Sequence, residues 1–129
     1  MKRHFIVAAA ILLLHPPQAS AGHRHHRHHH GAVQIGRPAA CAGIPWCGCW
    51  LRLHLGIGDA RLNLARAWAE IGSPAPGPAP GVIAVWRHHV GKITATLGNG
   101  RIRLLSGNDG HAVRERERST RGIIAYRYV

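Results

Sequence analysis

Residues 73–105 read SPAPGPAPGVIAVWRHHVGKITATLGNGRIRLL, and the change of character inside this stretch decides the fold. Proline at every second position of Ser73–Gly81 removes backbone donors and fixes φ. This segment is therefore excluded from a helix or a central strand and is expected as a polyproline-like connector. Beyond it the pattern is β. Val82–Trp86 is a short apolar run, and Val90–Leu97 is an expected strand. Gly98-Asn99-Gly100 supplies residues that tolerate positive φ, a hairpin signal, and Arg101–Leu105 is the return strand. Gly122–Val129 is expected as the last strand, and residues 113–118 as exposed strand or loop.

Upstream of the connector the spacing is helical. Pro45 suits a first helical position, where its missing N–H costs nothing, and Trp46, Trp50, Leu53 and Ile57 recur at helical intervals until Gly56 and Gly58 end the pattern. Asp59 is a candidate cap for a second helix, in which Leu64, Trp68 and Ile71 share a face and Gly72 is the stop. Helices followed by an antiparallel meander predict an α+β fold.

Further upstream the chain reads as a leader and a tail. Lys2 and Arg3 precede the apolar run Phe5–Leu14, and Ala19-Ser20-Ala21 offers small residues for cleavage. Residues 1–21 are expected to be a signal peptide. Ten apolar residues rise only about 15 Å as a helix, half of a roughly 30 Å hydrocarbon core, so no membrane span is expected after cleavage. The mature chain is expected to be secreted or periplasmic. Residues 22–40 open with GHRHHRHHH, which lacks apolar residues to build a core, and are expected as a disordered His/Arg-rich linker. The folded domain is then residues 41–129. The 17 Lys and Arg against 5 Asp and Glu give +12, falling to +10 when Lys2 and Arg3 leave with the leader. That charge attracts polyanions (nucleic acid, anionic lipid or an anionic wall polymer), of which export makes nucleic acid the least expected, and a plain solubility and adhesion effect accounts for it equally well.

Chemistry centres on Cys47. In the first turn of a helix, unpaired N–H groups and the dipole favour a thiolate, the nucleophilic form. The plainer role is a small buried hydrophobe or half of a disulfide. Three cysteines, Cys41, Cys47 and Cys49, leave at least one unpaired within the chain, and Cys41 has two open partners: pairing with Cys49 leaves Cys47 free, whereas pairing with Cys47 silences it. A base is needed within about 2.6–3.2 Å. His54 lies seven residues on, about 10 Å along a helix. His111 sits in a polar loop, which leaves His88 and His89. If one strand runs through, Ile83, Val85, His89 and Ile93 share one face, and Val82, Trp86, His88 and Val90 the other. Parity does not choose between them. On the next strand, Ile102 and Leu104 are in phase with Asn108, while Arg101 and Arg103 are in phase with Asp109. That phase points Asn108 inward, where its side chain could hold an imidazole tautomer. The alternative for Asn108-Asp109-Gly110 is a plain turn.

At these residues the chain resembles the CHAP-type and NlpC-type cell-wall hydrolases, specifically a small CHAP-like branch. Pro45-Trp46-Cys47 opening a helix resembles their nucleophile motif, and Leu64-Ala65-Arg66-Ala67-Trp68 the second helix. Gly81-Val82-Ile83-Ala84-Val85-Trp86 followed by His88-His89-Val90-Gly91 resembles the histidine strand. Leu105-Ser106-Gly107-Asn108 resembles the strand of the third catalytic group, and Gly122–Tyr128 the closing strand. The resemblance covers about residues 44–128. It implies a papain-like α+β domain, with N-terminal helices packed on an antiparallel sheet. It also implies Cys47 as nucleophile, His89 as general base and acid, and Asn108 as its orienter, with no cofactor or metal. The implied reaction is hydrolysis of peptide or amide bonds in peptidoglycan. One oxyanion donor would be the Cys47 N–H, and Gln34 is a candidate for the second by residue type. The alternatives are an inactive peptidoglycan-binding or structural domain on the same fold, and a His-rich tail that binds metal.

Overall fold

The computed structural model describes residues 36–129; the expected leader, the His-rich tract and Gln34 lie outside them. The described chain is α+β. One α-helix, α1 (Cys47–His54), and three 3-10 helices, Ala39–Cys41, Ala60–Asn63 and Ala65–Glu70, precede a six-stranded antiparallel sheet. The strands are β1 (Ser73–Pro74), β2 (Ile83–Trp86), β3 (Val90–Gly98), β4 (Arg101–Ser106), β5 (Arg114–Ser119) and β6 (Ile123–Tyr128), in spatial order β1-β6-β2-β3-β4-β5. No helix among the described residues is long and apolar enough to cross a membrane.

Several local expectations are corrected. Helix α1 begins at Cys47 with Trp46 as its cap residue, so Pro45 stands outside the helix. The expected second helix is two 3-10 segments broken at Leu64, whose extended backbone (ψ 126°) interrupts the α-helical run. Asp59 does cap the first of them, accepting the Arg61 N–H at 2.9 Å. Ala39 and Ala40, placed in the linker by sequence, form a 3-10 turn with Cys41. Residues 82–93 are not one strand: the chain reverses between Trp86 and Val90, and the Trp86 N–H donates to the His89 carbonyl at 2.8 Å. The face assignment that assumed a continuous strand fails for that reason. Asn99 and Gly100 take φ of 49° and 67°, the positive pair that a tight β3–β4 hairpin requires.

The sheet is apolar on both faces. Ile83, Val85 and Val90 pack with Trp46, Trp50, Leu51, Leu62 and Trp68 from the helical layer. Trp68 is fully buried and its indole N–H donates to the Leu62 carbonyl at 2.7 Å, which satisfies the one polar atom that burial would orphan. The opposite face gathers Val82, Ala84, Ile93, Ile102 and Leu104. Ala75 and Ala79 of the proline-rich connector pack on this second cluster, so that segment is a cover as well as a link. Ala75 N–H donates to the Tyr126 carbonyl at 2.9 Å and Gly81 N–H to that of Ile93 at 2.8 Å. Its first two residues pair with Tyr128 and Arg127 as an edge strand, a place in a sheet where proline is tolerated.

Cys41, the first buried residue among those described, is bonded to Cys49. The bridge ties the entering chain to α1 across a sequence separation of 8. Loop-closure entropy for so short a loop gives about 2.5 kcal/mol. The paired substitution Cys41→Ala, Cys49→Ala is expected to lower stability by about that amount, read as a lower urea midpoint.

Candidate functional site

Two close approaches bring the candidate residues together. A Cβ at Gly107 would lie 2.6 Å from Trp50 Cβ, so only glycine lets α1 cross the end of β4 there. A Cβ at Gly91 would lie 2.7 Å from the Leu105 carbonyl oxygen and 2.8 Å from Ser106 Cβ, so glycine also seats β3 against β4. The Val90-Gly91 pair after His89 thus has a steric reason: Val90 faces the helical layer while Gly91 makes room for Ser106.

Cys47 is the first residue of α1 and is 3 % exposed. With Cys41 and Cys49 bonded to each other, it is the free cysteine among the described residues. Its thiol donates to the His88 carbonyl at 3.9 Å. Burial pushes its pKa above the ordinary value, although the N–H groups of Gly48, Val90 and Cys47 itself pull the other way. The helix start therefore acts on the sulfur as expected, but desolvation outweighs it and the resting group is a thiol.

His89 is half-buried, and its Nε2 lies 3.0 Å from the hydroxyl of Ser106, which is fully buried. Its ring also packs obliquely against Trp86. Burial first, and then the Arg118 charge, hold its pKa down at about 4; Asp109 opposes this and Arg116 adds to it. The imidazole is therefore neutral at pH 7. No hydrogen bond joins Cys47 to His89 among the described residues. The sulfur instead lies against the backbone on either side of that histidine, beside the His88 carbonyl and the Val90 N–H.

The third expected residue is displaced. Among the described residues no hydrogen bond links Asn108 to His89, and Asn108 is only half-buried, with φ at 55°. Strand β4 ends at Ser106, and the left-handed Asn108 breaks the alternation there. Asp109 turns inward in its place: it is 2 % exposed and its carboxylate pairs with Arg116 and, at 3.0 Å, with Arg118. The phase argument, which put Asn108 and not Asp109 inward, holds only as far as Ser106, which is in step with Ile102 and Leu104. The residue of that set that meets the imidazole is Ser106, which sequence reasoning missed. Its signal was present: a lone hydroxyl ending a strand on the buried phase. His54 stacks on Trp50 at 4.8 Å, and His111 is exposed with φ at 63°.

Cys47 and His89 open onto adjoining clefts. Cys47 lines one of about 200 Å³ with Pro45, Asn63, Ala65 and Arg66. His89 lines one of about 500 Å³ with Trp86, Arg118 and Arg121. Arg87 and His88 belong to both and form the wall between them.

No family model, curated protein or solved structure matches the chain.

Proposed function

We propose that the chain is an exported cysteine peptidase or amidase of the papain-like, CHAP/NlpC type, acting on peptide or amide bonds of peptidoglycan. The observation that carries this reading is the placement of the one free described thiol at the start of α1, against the backbone of His88 and Val90, with the intervening His89 held by buried Ser106. Nε2 donates to the Ser106 hydroxyl in the tautomer that leaves Nδ1 free to accept a proton. The thiol and the imidazole are both neutral at rest. At rest Ser106 holds the His89 ring on the sheet face opposite the helical layer that carries Cys47, so the ring must turn toward the sulfur; there it acts as a general base, taking the Cys47 proton as sulfur attacks the carbonyl carbon. The imidazolium then protonates the departing amine, leaving a thioester. Water attacks the thioester after losing its proton to His89, which returns it to the sulfur, and the acid product leaves. In this scheme Ser106 takes the orienting role that the resemblance assigned to Asn108.

The experiment is a digest of purified peptidoglycan with the mature chain, with soluble fragments weighed by mass spectrometry before and after alkylation of Cys47. New fragments that vanish on alkylation are the expected result, and their masses identify the bond. A digest that yields no fragments, with the protein still sedimenting with the wall, overturns it. That outcome supports the second reading, a non-catalytic wall-binding domain, which the raised thiol pKa and the separate openings of Cys47 and His89 favour.

Ser106→Ala tests the positioning role. It leaves the His89 ring nitrogen without its partner and is expected to lower kcat about 10–100-fold with little change in KM. Ser106→Thr, which keeps the hydroxyl, is expected to recover more activity than Ser106→Val, its isosteric counterpart.

A further inference from the structure

The larger cleft has a charge pattern that the proposed hydrolysis does not use. Of its lining residues Arg87, Arg118 and Arg121 are cationic and none is acidic, while Trp86, His88 and His89 complete most of the wall. Asp109, the carboxylate paired with Arg118 of this lining, is buried and shared between Arg116 and Arg118. Among the described residues the side chains of Arg87 and Arg121 have no ion-pair partner, and both residues are exposed.

The fold fixes this arrangement. Arg114, Arg116 and Arg118 of β5 stand opposite Ser106, Leu104 and Ile102 of β4. Directly paired residues share a face, so the arginine side of β5 lies on the face where Ser106 meets His89. Asp109 anchors Arg118 from below. On the other side, the Trp86 indole donates to the Arg121 carbonyl at 2.9 Å and holds that backbone against the cleft. The outcome is a concave surface of about 500 Å³, large enough for several atoms of a peptide, with three arginines and the proposed base among its lining residues. Guanidinium groups match carboxylates with two parallel hydrogen bonds; Arg118 is shared with Asp109, while Arg87 and Arg121 have no carboxylate partner among the described residues.

We propose that this cleft is a carboxylate subsite, binding a free carboxylate of a short peptide through Arg87, Arg118 and Arg121 beside His89. The assignment rests on the peptidase reading for the ligand being a peptide. The side chain or terminal acid of a stem peptide would be held there while the scissile carbonyl lies toward the Cys47 cleft. Arg87 and His88, common to both clefts, mark the path between them. Specificity then follows from charge: a peptide whose carboxylates have been converted to amides loses its anchor.

The test measures binding, so it does not depend on turnover. The Cys47→Ala chain is titrated calorimetrically with a short stem peptide bearing free carboxylates, with the same peptide fully amidated, and with inorganic phosphate at matched ionic strength. The acid is expected to bind at least tenfold tighter than the amide. The exposed pair Arg87→Ala, Arg121→Ala, checked for an unchanged melting curve, is expected to abolish that preference, while Arg87→Lys, Arg121→Lys keeps part of it. Equal binding of acid and amide, or a preference that survives the alanine pair, overturns the proposal. Phosphate displacing the acid peptide at equal concentration overturns the carboxylate assignment in favour of a phosphate-bearing polymer. A wall digest without fragments alongside a preserved acid preference would remove the peptidase reading and leave the anion subsite standing.

Discussion

Cys47→Ala is expected to reduce release of peptidoglycan fragments by about 10³-fold or more while leaving the fold in place. The size of the loss follows from the role: without the sulfur no thioester forms, and only binding and the oxyanion donors remain. The structural cost is small, because the change removes one buried atom at the start of α1 and leaves the Cys41–Cys49 bridge intact. It is expected at about 1 kcal/mol. His89→Ala is expected to be nearly as damaging, and the double variant no worse than either alone, since the two groups serve one step. Retention of wild-type turnover by Cys47→Ala, measured by fragment release per mole of enzyme, would remove Cys47 from the mechanism.

The second large effect is on pH. His89 carries a pKa of about 4, against 6.5 for an ordinary histidine, chiefly because burial disfavours the imidazolium and Arg118 adds repulsion. A general base must be neutral, so activity is expected to hold its plateau from neutral pH down toward 4 and to fall about tenfold per unit below it. Stability moves in the same direction for a related reason. The unfolded chain binds this proton near 6.5 and the folded chain only near 4, so between those values the unfolded state binds more protons. Stability is therefore full above 6.5, declines as pH falls through the window, and levels off below about 4. This residue accounts for about 3 kcal/mol of that decline. Urea unfolding at pH 7.5 and pH 4, on the wild type and on His89→Gln, checks it. The difference between the two pH values is expected to shrink in the variant, which has nothing to titrate at that position.

The α+β class was readable because its signals are local. Asp59 caps, Gly72 stops with φ at 60°, and Asn99-Gly100 turns, each through its own backbone preference. The loss of the second α-helix to 3-10 segments was not readable, because the period of Leu64, Trp68 and Ile71 does not separate the two helix types. Nor was the reversal at residues 87–89. It depends on pairing Val85 with Val90, a tertiary choice that the apolar run on either side does not express. At the candidate site, Cys47 stood out by its place before a helix, yet the direction of its pKa did not follow from that. The helix start is visible in the sequence, whereas the depth of burial that outweighs it depends on packing against distant elements, Val90 of β3 among them. Asn108 was expected inward because alternation was extended past Gly107; one left-handed residue was enough to exchange it for Asp109.

The outer strands of the sheet decide how this chain behaves toward its own copies. Strand β5 carries Arg114, Arg116 and Arg118 on one side, with Glu115 and Glu117 on the other. A second copy extending the sheet antiparallel from this edge would set arginine opposite arginine above and glutamate opposite glutamate below. The far edge, β1, is two residues long and ends in Pro74, which has no N–H to offer a newcomer. Growth of the sheet from molecule to molecule is opposed by repulsion at one margin and by a missing donor at the other, so the protein can be crowded without polymerising through its strands.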